Sequence, residues 1–193
     1  MKTIVRWAAV AAVLATGLGV SGAASAKMEP LKLAQHTLGG DALVIIPVGD
    51  FADVTAVGFG ALVRYEFRLV PPVTLTGRIG FVGHIAHDLG RGFDSRTWEV
   101  PILFGARYYS KLGIWGGAEM GPVIVGGKAR GPGGTIFANN SRTYDAKAKF
   151  GLVLTGGYRW RIFDAGFGFF VPDIDDLFGF MFSFGINFAS FGR

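Results

Sequence analysis

The chain contains no cysteine, which excludes disulfide staples and thiolate metal centres. Charged residues are scarce, at 17% of the total against roughly 25% in an average soluble domain. Beyond its first 26 residues the chain has no apolar run near the roughly 18 residues that a membrane-crossing helix requires. Glycine is plentiful at 31 residues, yet the Gly-rich stretch "ARGPGG" at 129–134 lacks the Lys-Ser/Thr that completes a phosphate-binding loop. A pI of about 9.7 reflects a modest excess of cations and by itself calls for no nucleic-acid partner.

What the chain does have is hydrophobicity without helix-length runs. Half the residues are hydrophobic and mean hydropathy is +0.41. A membrane β-barrel meets both conditions, because lipid-facing residues alternate with lumen residues along every strand. Residues 1–26 are set apart first. Lys2 and Arg6 form a basic start, Trp7 to Val20 is apolar, and Ala24-Ser25-Ala26 supplies a small-x-small cleavage site. That is the pattern of a cleavable signal peptide. The remainder, 27–193, is one domain's length.

The clearest strand is "FGFMFSFGINFASF" at 178–191. Phe178, Phe180, Phe182, Phe184, Ile186 and Phe188 share one parity, and small or polar residues occupy the other. A period of two is the period of a strand. Eight such segments divide the chain, at 40–48, 56–68, 74–85, 96–109, 113–125, 145–160, 163–171 and 177–190. "GDFADVT", "HDLGRGFDS", "KARGPGGTIFANNSR" and "PDIDD" follow the odd-numbered segments, whereas only "VPPV", "SKL" and "RI" follow the even-numbered ones. Short turns at one end and long polar loops at the other describe an all-β, eight-stranded, antiparallel up-and-down transmembrane β-barrel. Both termini then fall at the short-turn end, expected to be periplasmic, with the long loops outside the cell.

One face of these segments collects Arg64, Glu66, Arg68, Arg78, Glu99, Arg107, Glu119, Lys147, Lys149, Arg159 and Asp164. The faces agree across the short turns. Arg159 falls opposite Asp164 and Trp160 opposite Phe163. Arg68 falls opposite Thr74, leaving Glu66 diagonal to Arg78, and Glu119 shares a face with Arg107. The register of one strand fixes the face of the next, so these agreements support one another. Facing lipid, each midplane Arg or Lys would cost about 2–4 kcal/mol. Inside a narrow lumen the same charges are tolerated when paired. The charged face is therefore assigned to the lumen, and the face bearing Phe178, Phe180, Phe182, Phe184, Ile186 and Phe188 to lipid. Tyr108, Trp160, Phe163 and Phe188 lie toward the short-turn end, where an interfacial aromatic girdle belongs. Pro101 and Pro122 each remove a ladder hydrogen bond, so a bulge or frayed pairing is expected near the long-loop rim. The first segment, "ALVIIPV", is apolar on both parities.

The stretches "PVGDFADVTAVGFGALVRYEF", "GARYY", "GGAEMG" and "GGYRW" resemble the small eight-stranded outer-membrane barrels typified by the OmpA transmembrane domain and OmpX. The resemblance is one of strand and turn pattern over nearly all of 27–193. It implies residence in a bacterial outer membrane, among its lipid and lipopolysaccharide, and insertion by the barrel-assembly machinery. Two departures stand out: Gly192 and Arg193 follow the Phe191 that would end such a barrel, and no peptidoglycan-binding domain is appended.

Chemistry is not indicated. His84, His87 and Asp88 cluster at a strand end, but a metal site would want a third ligand in a defined place. A lipid hydrolase of this type would want His and Ser on the outer face, whereas His84 has inner parity. No catalytic residue, metal or cofactor is expected. An eight-stranded barrel is just wide enough for its own side chains, so a charged and largely plugged lumen is expected, with a structural or surface-interaction role. The long loop 127–144, with Arg130, Phe137, Asn139, Asn140 and Arg142, is the largest candidate recognition surface. The alternative is a narrow channel or transporter of small solutes, anion-preferring because the inner-parity charges number seven positive and four negative.

Overall fold

Period-two alternation is realised as eight strands. The computed structural model of the chain describes residues 34–88, 94–130, 141–173 and 177–192. The signal peptide expected at 1–26, the loop residues Phe137, Asn139 and Asn140, and Arg193 lie outside the described residues. β1 spans His36–Val48, β2 Gly58–Val70, β3 Val73–His84, β4 Asp94–Tyr109, β5 Ile114–Arg130, β6 Ser141–Trp160, β7 Phe163–Asp173 and β8 Leu177–Phe191. A two-residue strand, His87–Asp88, continues the ladder of β3 against β4. Each strand pairs antiparallel with its neighbour in sequence, and β8 returns to pair with β1, so the sheet closes on itself. Closure removes the exposed edges that an open sheet would present.

Three tight connections sit at one end. The β2–β3 turn is Pro71-Pro72, joined by a cis peptide bond. The β4–β5 turn is closed by Gly113 N–H donating to the Ser110 carbonyl at 3.1 Å. Gly113 adopts φ +86° there, a conformation that glycine reaches without steric cost. The β6–β7 turn is Arg161-Ile162 alone, with Trp160 paired to Phe163 and Arg159 to Asp164, the pairing expected from the faces. Arg68 is likewise paired with Thr74. At the same end Gln35 N–H donates to the Gly192 carbonyl at 3.3 Å, so the two ends of the barrel wall meet beside the short turns.

The prolines open gaps in the ladder without shifting it. Pairing between β3 and β4 lapses between Ile79↔Ile102 and Val82↔Glu99, around Pro101. Pairing between β4 and β5 lapses between Pro101↔Val123 and Phe104↔Met120, around Pro122. Each ladder resumes in the same register. The gaps fall within the strands rather than at their long-loop ends. A missing N–H removes its own bond wherever it lies, and the neighbouring pairs hold the register. The connection "GDFADVT" carries one helical turn, α1, at Asp50–Val54, which alternation alone does not reveal.

The barrel interior has two layers. Toward the long-loop end lie the buried apolar side chains Leu43, Ile45, Leu62, Val82, Leu103, Val123, Val153, Phe170 and Met181, closed above by Phe51 of α1. Toward the short turns lie buried charges: Arg64, Arg78, Arg107 and Arg159 with Asp41, Glu66, Glu119 and Asp164. The apolar layer is an addition to the charged, largely plugged lumen expected from the sequence. It also explains why β1 is apolar on both parities: Leu43 and Ile45 face other apolar side chains inside, while Ile46 is exposed outside.

Candidate functional site: a filled lumen inside an apolar belt

The lumen network is built around Glu66. Arg159 donates to its two oxygens from Nη1 and Nη2, both at 2.8 Å. Arg107 Nη1 and the Tyr109 hydroxyl donate to Oε1 at 3.2 and 3.0 Å, and Arg64 Nε lies 3.2 Å away. Arg159 also donates from Nε to Asp164 Oδ2 at 2.8 Å. Arg64 donates to Asp41 Oδ1 at 2.7 Å and to Asn187 Oδ1 at 2.8 Å. Arg78 binds Glu119, whose other oxygen accepts from Thr76 Oγ1 at 2.9 Å. Arg107 Nε lies 3.5 Å from that oxygen, uniting the residues expected to share a face. The guanidinium of Arg107 lies 4.1 Å from the centre of the Trp115 ring, and that of Arg159 4.6 Å from the Tyr109 ring.

Every ion of the network lies beside an opposite charge, the condition under which buried charge is tolerated, and Glu66 and Arg159 carry several charge-assisted hydrogen bonds each. Four strands hold long arginines in one cross-section because small residues face them. A Cβ on Gly39 would come within 3.1 Å of Arg64 Nη2, and one on Gly117 within 2.8 Å of Arg107 Cγ. Glycine at inner positions is therefore space for guanidinium groups.

The inner-parity residues divide into two groups. Arg64, Glu66, Arg78, Arg107, Glu119, Arg159 and Asp164 join the buried network. Glu99 is buried apart from it, at 0% exposure, with His84 Nε2 at 3.3 Å from Oε1. The other ring nitrogen of His84 lies 2.8 Å from the Ala56 carbonyl, and Phe51 meets the ring edge-on at 5.6 Å. His84 is thus a structural clamp between β3, β4 and the loop beneath α1.

Three members of the set do not enter that cross-section. Arg68 is only partly buried. Lys147 and Lys149 are exposed, with Lys149 Nζ reaching Asp173 at 2.7 Å. For the two lysines the cause is geometric: β5 and β6 stay paired out to Arg130↔Ser141, whereas β7 joins β6 only from Leu152. Inner parity above that point faces the open mouth. With these three cations outside and Asp41 added, the buried network holds four arginines against four carboxylates, and the excess of positive charge that motivated anion preference is absent from it.

Outside, the pattern reverses. Phe182, Phe184, Ile186 and Phe188 of β8 are exposed, as are Phe59, Val63, Ile79, Phe81, Phe104, Met120 and Phe167 on other strands. Phe178 is exposed too, while Phe180 stacks against Phe167 at 5.8 Å and is partly covered. Tyr108, Trp160, Phe163 and Phe188 stand exposed at the short-turn end. On β4 the outer residues run Trp98, Val100, Ile102, Phe104, Ala106, Tyr108. Ten residues of strand at about 3.3 Å each, tilted by roughly 40°, give about 25 Å along the barrel axis, the height of the apolar band of outer-membrane barrels.

No family model matches the chain, and no curated protein matches its sequence. Solved structures do. Ail, the attachment invasion locus protein of Yersinia pestis, superposes with a TM-score of 0.59 at 10% identity, over 80% of this chain and 98% of that one. A second structure of Ail, in complex with the heparin analogue sucrose octasulfate, gives 0.56 at 11% identity, over 81% and 98%. Neisserial surface protein A gives 0.48 at 11% identity, over 82% and 100%. The fold is that of the small outer-membrane β-barrels. At such identities the likeness concerns the fold alone, and the lumen residues of this barrel are read from its own geometry.

Sequence reasoning missed Asp41, Tyr109, Trp115, Asn187 and Phe51. Asn187 and Tyr109 were within reach, since each follows by alternation from an outward neighbour, Phe188 and Tyr108. Asp41 was hidden by the uniformly apolar run that follows it, and Phe51 by lying in a loop. The stretch 127–144, expected to be loop throughout, is strand at both ends: Arg130 closes β5 and Arg142 lies near the start of β6, because the ladder continues through Gly127↔Tyr144 to Arg130↔Ser141.

Proposed function

We propose that the chain is a bacterial outer-membrane β-barrel protein with a structural or surface-interaction role. Residues 1–26 act as a signal peptide and 27–193 as the barrel, inserted by the barrel-assembly machinery with both termini in the periplasm. The observation that carries this reading is the inversion of the wall: exposed phenylalanines and aliphatics outside, paired guanidinium and carboxylate groups inside, with aromatic residues bounding a belt of about 25 Å. In water that outer surface would be an apolar patch far larger than a soluble monomer carries. In a bilayer it is the surface that hydrocarbon and the lipid A part of lipopolysaccharide cover. The two packed layers fill the lumen, so the wall serves as a rigid support, and any recognition belongs to the long-loop end. The shared fold with Ail, named for attachment and seen with a heparin analogue, supports a surface role.

Membrane fractionation combined with gel mobility tests this. The protein should sediment with outer membranes, extract only with detergent, and migrate differently before and after boiling. A protein found in the soluble fraction with heat-independent mobility would refute it.

A further inference from the structure

β3 ends on His84, one residue past Gly83, the ladder partner of Trp98 at the long-loop limit of the belt. The imidazole lies against Gly58 of β2, where an added Cβ would come within 2.7 Å of Cε1. Nδ1 reaches the carbonyl of Ala56, in the loop that follows α1, and Nε2 reaches Glu99 of β4. The ring therefore ties two strands to the segment that carries α1 and its roof residue Phe51.

A carbonyl oxygen only accepts, so Nδ1 carries a hydrogen. A neutral imidazole has just that one, and the bare lone pair of Nε2 would then point at a carboxylate. With a second hydrogen on Nε2 the contact becomes an imidazolium donating to the Glu99 anion. Glu99 needs that charge equally. It is fully buried, its ladder partners are Val82 and Val125, and an anion alone in such an apolar layer is strongly disfavoured. The charge that faces the ring is Glu99; β2 presents Gly58, the loop a carbonyl, and α1 Phe51, while the acidic Asp50 and Asp53 of α1 are exposed.

We propose that one proton held between His84 and Glu99 locks α1 over the apolar layer, making this cap a conformational switch set by acidity. Loss of the proton leaves a lone pair facing a buried anion. Gain of a second, in strong acid, leaves a buried imidazolium beside a neutral acid. In both states an unpartnered charge draws the pair toward water, and the segment from Asp50 to Ala56 moves with it. The ionic layer below stays filled, so the switch remodels the surface at the long-loop end and opens no pore. On the orientation proposed above, the acidity it reads is that outside the cell.

The test uses the barrel folded in detergent micelles, with Asp53→Cys as its one cysteine carrying a nitroxide whose mobility is read by electron paramagnetic resonance. In Glu99→Gln the amide can donate to Nε2 of a neutral ring, so the pair no longer needs the proton and the response to pH should reverse. The label on Glu99→Gln should be held at about pH 9 and freed at about pH 5, on either side of the ordinary imidazole value. With His84 and Glu99 intact, the label should be no more mobile at about pH 5 than at about pH 9. The variant His84→Gln/Glu99→Gln, with neither group titratable, should show no response. Heat-modifiable mobility confirms that each variant is folded. Nitrogen NMR of the wild-type histidines, which needs no change at the pair, should find hydrogens on both ring nitrogens of His84 at about pH 8, where a free imidazole is neutral. A neutral His84 ring at that pH, an unreversed response in Glu99→Gln, or a response that persists in the double variant would overturn the lock. Because the readouts are taken in micelles, these outcomes leave the membrane reading untouched.

Discussion

Replacing Glu66 with glutamine removes one charge from the lumen and almost nothing else, since the two side chains have the same shape. Glu66 faces Arg64, Arg107, Arg159 and the Tyr109 hydroxyl. After the change, four buried guanidinium groups share three carboxylates in a layer roofed by apolar side chains. Breaking a buried ion pair from one side costs about 3–5 kcal/mol, because the surviving charge stays desolvated. That lowers the folding constant by a factor of about 10² to 10³ or more. Urea titration of the reconstituted barrel, followed by tryptophan fluorescence and by heat-modifiable mobility, would measure it. The companion variant Glu66→Gln/Arg159→Gln restores neutrality and should lose less than the sum of the two single changes. A loss below about 1 kcal/mol for Glu66→Gln would refute the reasoning. It would mean that water reaches the network and that the lumen is open.

Other consequences follow from the same geometry. Phe184→Arg places a cation on the exposed belt and should cost about 2–4 kcal/mol in a bilayer, read as a lower folded fraction in vesicles. Gly105→Ala puts a methyl against the Ala118 carbonyl oxygen and should cost about 1–3 kcal/mol, whereas Gly116→Ala, with open space around it, should stay within about 0.5 kcal/mol of the wild type; thermal unfolding separates the two. Phe51→Ala empties the roof of the apolar layer and should cost about 3 kcal/mol, yet in planar bilayers it should add no conductance, because the ionic layer below stays filled. Any residual current through the wild type should show little preference for Cl⁻ over K⁺, given four arginines against four carboxylates; strong anion selectivity would contradict the balance.

The strand count and the connections were legible because alternation and turn length are local properties. Arg159 opposite Asp164 follows from a two-residue turn and needs no knowledge of the barrel. Depth was not legible. Alternation places Lys149 and Arg159 on one face, but only the length of β7 shows that Lys149 lies beyond the wall's shared height. Partnership across the lumen was equally hidden, since Arg159 meets Glu66 from the far side of the sequence and no strand-level rule joins them. The apolar layer escaped notice for a related reason. Leu62, Val82 and Leu103 sit on the charged parity of their strands, and only closure brings them together with Leu43 and Phe51.

The chain has no cysteine, so a single Phe184→Cys substitution gives one labelling site on the belt and Lys147→Cys gives one beyond it. With a fluorescent maleimide attached, and the protein in vesicles of brominated phospholipid, the label at 184 should be strongly quenched by the lipid and untouched by aqueous iodide. The label at 147 should show the opposite. Iodide quenching at 184 without lipid quenching would place the phenylalanine belt in water and contradict the account at its root.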